Sequence, residues 1–205
     1  MIFATNNTHK LQEARAILAP NKVRALSDIG LCADIPENDT TLEGNSLAKA
    51  LFVRNFLIQN TGAISDSIIA DDTGLEVDCL NGAPGYMSAR YSGEPVDNER
   101  NIDKLLNEML KAEPNLFPRI ARFRTVITYI TCGGSIHQVE GIVTGRIATQ
   151  RHGTQGFGYD AVFIPDGDGN LLPIGNTQTF AQLPPEMKNA ISHRARALQK
   201  LTQII

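Results

Sequence analysis

The chain is short of most features that announce a function at first reading. Positive charge is one of them: 19 Lys and Arg face 22 Asp and Glu in 205 residues, a formal net charge of −3. That balance points to neither nucleic acid nor an anionic membrane as partner, so any anionic ligand must be met by local cations. Cysteine is scarce too. Cys32, Cys79 and Cys132 are odd in number, far apart and without metal-ligand spacing. They are expected to be reduced structural residues of a cytoplasmic protein. No apolar run approaches membrane-spanning length, and the apolar start over residues 1–5 is too short for a signal peptide. No repeat, low-complexity segment or domain linker interrupts the chain, and no Ser/His or Cys/His nucleophile constellation stands out. With 42% hydrophobic residues, enough remains for a sizeable core in one large domain or two intimate lobes.

The densest stretch of special residues is Ala70-Asp71-Asp72-Thr73-Gly74-Leu75, followed by Gly82-Ala83-Pro84-Gly85 and Ser88-Ala89-Arg90-Tyr91. The apolar run Ile68-Ile69-Ala70 reads as a buried strand that ends in two adjacent carboxylates. Side chains alternate along a strand, so Asp71 and Asp72 are expected on opposite faces. A carboxylate at such a strand end can hold a hard divalent cation or activate water. Taken alone, the pair reads better as a turn-capping Asp beside a solvated one; the density of special residues over the next twenty positions reverses that.

Earlier in the chain, residues 1–5 read as a short buried strand. Asn6-Asn7-Thr8 is a turn or N-cap cluster ahead of a helix over residues 10–18. That helix N-terminus, with Lys10 in its first turn, would attract phosphate. Residues 23–26 read as another short strand. Thr40-x-x-Glu43 resembles a capping box before a helix over residues 42–60 with Leu47, Ala50, Leu51, Phe52, Phe56 and Leu57 on its apolar face. Lys49 and Arg54 interrupt that face, and Glu37 reads as a loop acid. Further on, Asn81-Gly82 signals a tight turn. Asp97 can cap a helix to about residue 110 that carries Ile102, Leu105, Leu106 and Met109. Residues 120–132 alternate as a strand, Gly133-Gly134 turns, and residues 135–147 return. Gly156-Phe157-Gly158-Tyr159-Asp160 leads into a strand over residues 161–164. It is neither a dinucleotide fingerprint nor a Walker A loop. One last helix, from Pro185-Glu186, carries Lys188, Asn189, Ser192, His193 and Arg194 and would by itself pass for a solvated basic face.

Together these motifs resemble the inosine triphosphate pyrophosphatase family, the non-canonical purine nucleoside triphosphate pyrophosphatases or XTP/dITP diphosphatases. The resemblance runs from end to end. It rests on Thr5-x-Asn7-x-x-Lys10, Thr41-Leu42-Glu43-x-Asn45 with Lys49-Ala50, and Asp71-Asp72-Thr73-Gly74-Leu75. It continues through Gly82-Ala83-Pro84-Gly85, Ser88-Ala89-Arg90-Tyr91 and Gly156-Phe157-Gly158-Tyr159-Asp160, and closes on Lys188-Asn189-x-x-Ser192-His193-Arg194. Two positions depart from the family: Thr73 stands where Ser is commoner, and Asn6 where Gly is usual. The resemblance implies a single α/β domain over residues 1–205, with a long mixed central β-sheet and two lobes flanking a substrate cleft. It implies Mg²⁺-dependent hydrolysis of ITP, dITP and XTP to the monophosphate and pyrophosphate, by a cytoplasmic homodimer without nucleic-acid or membrane partners. By position, Asp72 is the implied proton acceptor, and Glu37 and Asp72 the Mg²⁺ ligands. Thr5, Asn7, Lys10, Lys49 and Thr73 fall to the phosphates and substrate. Phe157, Gly158, Tyr159, Asp160, Lys188, His193 and Arg194 fall to the base, with Arg194 the main reader of a C6 oxygen and His193 beside it. Asp71, Ser88 and Arg90 receive no role. A pyrophosphatase of another base preference and a nucleotide-binding protein without turnover are the alternatives.

Overall fold

In the computed structural model, which describes residues 1–18, 22–112 and 119–205, the hydrophobic strand runs assemble into one mixed sheet. Its strands are β1 (Ile2–Phe3), β2 (Ile68–Val77), β3 (Pro84–Gly85), β4 (Ile120–Ile130), β5 (Ile136–Ile147) and β6 (Phe163–Pro165). The order is β1-β2-β4-β5-β6, with β3 paired to β2 off that path. β1 runs parallel to β2, whereas β3 is antiparallel to β2 and β6 to β5. The helices are α1 (Thr8–Ile17), α2 (Leu42–Thr61), α3 (Asn98–Ala112), α4 (Pro185–Ile191) and α5 (His193–Leu201). Among the described residues, no helix is long and apolar enough to cross a membrane.

The chain divides into two compact units. The first comprises Met1–Asp72, Thr125–Gly141 and Arg194–Ile205. Its two hydrophobic clusters are sorted by strand alternation. Ile2, Ala4, Ile68 and Ala70 join Leu26, Ala50, Val53 and Leu57 on the α2 side. Phe3 and Ile69 join Ala14, Leu18, Ala197, Leu198 and Leu201 on the side of α1 and α5. Continued by two residues, that period-2 rule sends Asp71 after Ile69 and Asp72 after Ala70. The second unit comprises Thr73–Arg124 and Ile142–His193. Its core gathers Leu75, Val77, Ile102, Leu105, Met109, Phe123, Phe163 and Phe180. The Phe123 and Phe163 rings meet edge to face at 4.7 Å.

Local signals held at several places. Asn81 (φ 54°) and Gly82 (φ 85°) form the tight turn after β2, Asn81 being a residue that tolerates the left-handed region. Asp97 accepts from the Arg100 N–H at the start of α3, whose buried residues are Asn101, Ile102, Leu105 and Met109. The four-residue turn after β4 closes with the Gly134 N–H donating to the Thr131 carbonyl.

Elsewhere the structure corrects the reading. Residues 23–26 form no strand: Arg24 makes a single bridge to Ile2, and a 3-10 turn, Ser27–Ile29, follows. The α2 cap is Thr41 rather than Thr40; its hydroxyl accepts from the Gly44 N–H. The buried face of α2 carries Asn45, Ser46 and Lys49 beside Leu42, Ala50, Val53 and Leu57, so its polar interruptions belong to the interior. A 3-10 turn, Gly158–Ala161, precedes the strand expected at 161, which starts only at Phe163. The last helix is two. Ser192, with ψ 158°, ends α4, and α5 restarts at His193. No Gly or Pro marks that break, only a Ser of the kind favoured at helix starts. Nor is this a solvated basic face, because Lys188, His193 and Arg194 are all buried.

Candidate active site

Within the first unit, acids and bases expected from the sequence converge. α1 begins at its Asn7 cap, whose side chain accepts from the His9 and Lys10 N–H groups at 3.0 and 3.1 Å. Thr5 Oγ1 accepts from the Asn7 N–H at 3.1 Å, fixing the approach. Two of the amides that the helix N-terminus was expected to offer to phosphate are therefore held by the cap. The Lys10 ammonium lies 3.0 Å from Asp71 Oδ1. Arg194 donates from Nε to Asp71 Oδ2 at 2.9 Å and from Nη1 to Glu13. Lys49 reaches Asp72 Oδ1 at 3.0 Å and Glu37 Oε1 at 2.6 Å. Asp71 thus pairs with cations of α1 and α5, and Asp72 with a cation of α2, as the alternation requires.

The electrostatics separate the two aspartates. Burial pushes both carboxyls up. For Asp71, Lys10 and then Arg194 outweigh burial and hold the group well below its ordinary 3.8. For Asp72, Lys49 and Lys10 only reduce the effect of burial, and the carboxyl stays raised. Lys49 is raised, because Asp72 and Glu37 more than offset its own burial. Lys10 is lowered by burial, with Lys49 and Arg194 adding repulsion that Asp71 does not cancel. One atom stands out: Asp72 Oδ2 is buried and has no hydrogen-bond partner among the described residues.

Beneath the cluster lies a network that the motifs do not reveal. Ser46 Oγ donates to the Ala70 carbonyl at 2.9 Å, sits 2.9 Å from Thr128 Oγ1 and accepts from the Thr128 N–H at 2.9 Å. Gln138 Nε2 donates to Thr128 Oγ1 and to the Glu43 carbonyl, both at 3.0 Å. Ser46 therefore pins α2 to the strand residue just before Asp71-Asp72, one turn from Lys49. A polar residue on the buried stripe of a helix was its only sequence signal. Glu13, three residues after Lys10 on the same helix, was equally unremarked.

The second unit gathers most of the residues expected at the base. The Lys188 ammonium lies 2.7 Å from Asp160 Oδ2 and 4.9 Å over the Phe157 ring. Asp160 Oδ2 also accepts from the Phe157 N–H at 2.8 Å. Gly156 has φ +77°, and a Cβ there would lie 2.1 Å from Asp160 Oδ2, so glycine is required. Gly158 (φ +59°) opens the 3-10 turn. Tyr159 is buried and donates to the Ser88 carbonyl at 2.8 Å, which makes it an anchor for the loop. Ser88 Oγ in turn accepts from the Leu75 N–H at 2.8 Å and donates to the Gly85 carbonyl at 2.6 Å. The His193 ring stacks on Phe123 at 4.7 Å. Thr73, half-buried on β2, begins this unit. Arg194 belongs to the first unit, where it shares Asp71 with Lys10.

Among the described residues no three His, Cys, Asp or Glu side chains group as a metal site. Mg²⁺ does not demand such a cage, since it is commonly held by one or two carboxylates together with substrate phosphates. Glu37 and Asp72, joined through Lys49 and with Asp72 Oδ2 unpartnered, fit that donor set.

Fold and site together define a mixed-sheet α/β protein with a cluster of paired lysine, arginine and carboxylate side chains. The Ham1 family model matches residues 1–204, and the chain belongs to that family. It is 46% identical to a dITP/XTP pyrophosphatase of Porphyromonas gingivalis, covering all of this chain and 96% of that protein. A protein of the same name from Bacillus subtilis is 40% identical over 100% of this chain and 96% of its own length. Among solved structures, the Ham1 protein of Staphylococcus aureus superposes with a TM-score of 0.80 at 35% identity, covering 99% of this chain and 96% of that one.

Proposed function

We infer that the chain hydrolyses deaminated purine nucleoside triphosphates (ITP, dITP and XTP) to the monophosphate and pyrophosphate. Full-length relatives named dITP/XTP pyrophosphatase support this activity. For the mechanism, the carrying observation is Asp72, buried, with Oδ1 held by Lys49 in the nucleotide-free protein and Oδ2 without a hydrogen-bond partner among the described residues. Such a carboxylate keeps an oxygen to accept a proton from water, which then attacks the α-phosphorus as pyrophosphate leaves. Lys49 and Lys10 supply positive charge toward the phosphates. Mg²⁺ held by Glu37 and Asp72 would neutralise phosphate oxygens. Charge balance favours such an ion. Lys10, Lys49 and Arg194 face four acids, Glu13, Glu37, Asp71 and Asp72, so the cluster alone does not attract a polyanion.

For the base, the Phe157 ring is a stacking surface, and Lys188 is a donor fixed by Asp160. A C6 oxygen accepts from such a donor, whereas the C6 amine of adenine meets it with another donor. Mismatched buried donors cost about 1–3 kcal/mol each. We further propose a cytoplasmic homodimer. The test is hydrolysis of ITP in ¹⁸O-labelled water with Mg²⁺, alongside a panel of nucleoside triphosphates and an EDTA control. Label is expected in the monophosphate, with ITP and XTP favoured over ATP and no turnover in EDTA. Label confined to pyrophosphate, or orthophosphate as first product, would overturn the site of attack.

A further inference from the structure

We propose that Lys49 competes with the divalent cation for the Glu37 and Asp72 carboxylates, so that the cation loads with the nucleotide and not before it. This rests on the reading above that these two acids hold Mg²⁺. One ammonium already lies within 2.6 Å of Glu37 Oε1 and 3.0 Å of Asp72 Oδ1. The pair of acids that would attract a divalent cation is thus matched from inside the protein. Lys49 is 5% exposed and Asp72 6%, so bulk water and salt screen their contact little, while Glu37 stays partly open to solvent. The other cations of the cluster are committed differently: Lys10 and Arg194 both go to Asp71. Lys49 is therefore the cation whose two acid partners are the candidate metal ligands.

A lysine ammonium is a point charge with rotatable donors on a flexible stem. It can exchange a carboxylate for a phosphate oxygen by turning that stem, while α2 stays pinned through Ser46. In the nucleotide-free protein, Lys49 and a divalent cation repel one another over the same acids. A triphosphate relieves the conflict by giving Lys49 another anion. Nucleotide and metal then favour each other's binding, and the coupling is reciprocal. The same exchange keeps Asp72 paired, and its charge compensated, until substrate arrives.

The experiment measures Mn²⁺ binding to nucleotide-free protein by calorimetry, for the wild type, Lys49→Met and Lys49→Arg. Lys49→Met is expected to bind Mn²⁺ at least about tenfold more tightly than the wild type, within the usual range of such couplings. Lys49→Arg, which keeps the charge, is expected to bind as weakly as the wild type. Equal affinity of the wild type and Lys49→Met, with turnover still dependent on metal, overturns the competition alone. Turnover undiminished in EDTA overturns the metal reading and the competition with it. Should Lys49→Met not fold, the wild type decides by NMR of ¹³Cε-labelled lysine, with Lys49→Arg assigning the signal. The Lys49 signal is expected to move when Mg²⁺ and a non-hydrolysable ITP analogue are added together. An unmoved signal in the saturated complex overturns the proposal.

Discussion

Replacing Asp72 with Asn keeps the shape of the side chain but removes a base and an anionic metal ligand. Turnover is expected to fall about 10²-fold or more, with KM changing much less. Steady-state kinetics with ITP check this, and a loss carried mainly by KM would count against Asp72 as the base. Asp71→Asn acts on a different quantity. It leaves the buried Arg194 and the half-buried Lys10 beside a neutral amide, and breaking a buried ion pair costs about 3 kcal/mol or more. Because the folded protein holds Asp71 below its ordinary 3.8, its ionisation stabilises the fold at neutral pH. That contribution is fully present above the ordinary value and is lost as pH falls toward the lower, folded-state one. Urea denaturation in EDTA should therefore show a stability gap between wild type and Asp71→Asn that holds from pH 7 to about pH 4 and narrows below it. A gap unchanged at pH 3 would mean that the charge of Asp71 is not what stabilises the fold.

At the scale of an element, α2 is aimed by a hydroxyl and not only by its apolar stripe. Ser46→Ala leaves the Thr128 N–H without its acceptor and the Ala70 carbonyl without that donor. A loss of about 1–3 kcal/mol is expected in denaturant melts, together with reduced kcat as Lys49 loses its setting. Unchanged stability would make the network incidental. The glycine loop before β6 offers the complementary case. Gly156→Ala forces a Cβ toward Asp160 Oδ2 at a left-handed φ and disturbs the acceptor shared by Lys188 and the Phe157 N–H. Its expected signature is a raised KM for ITP and a smaller ITP-over-ATP preference, measured as kcat/KM for both. An intact preference would remove Lys188 and Asp160 from base recognition.

For the whole molecule, homodimerisation is the remaining expectation of the family resemblance. Light scattering at micromolar concentration should return twice the chain mass, and a monomer mass would refute it.

Much was legible in residue order alone. Strand alternation decided that Asp71 and Asp72 face apart, because the side-chain period of a strand is fixed by its backbone. The Asp97 cap, the Asn81-Gly82 turn and the Gly133-Gly134 hairpin are local too, each set by the chemistry of a few neighbouring residues. What depended on distant partners was not legible. Lys49 looked like an interruption of an apolar face, yet Asp72 and Glu37 make it a buried one. The ion pair between Arg194 and Asp71, 123 residues apart in the chain, left no trace in the motifs. Ser192 looked helical, yet its extended backbone separates α4 from α5. Burial of a charge is stable only where a counter-charge arrives. That arrival is a property of the folded chain, so the buried ion-pair network was decided by tertiary structure.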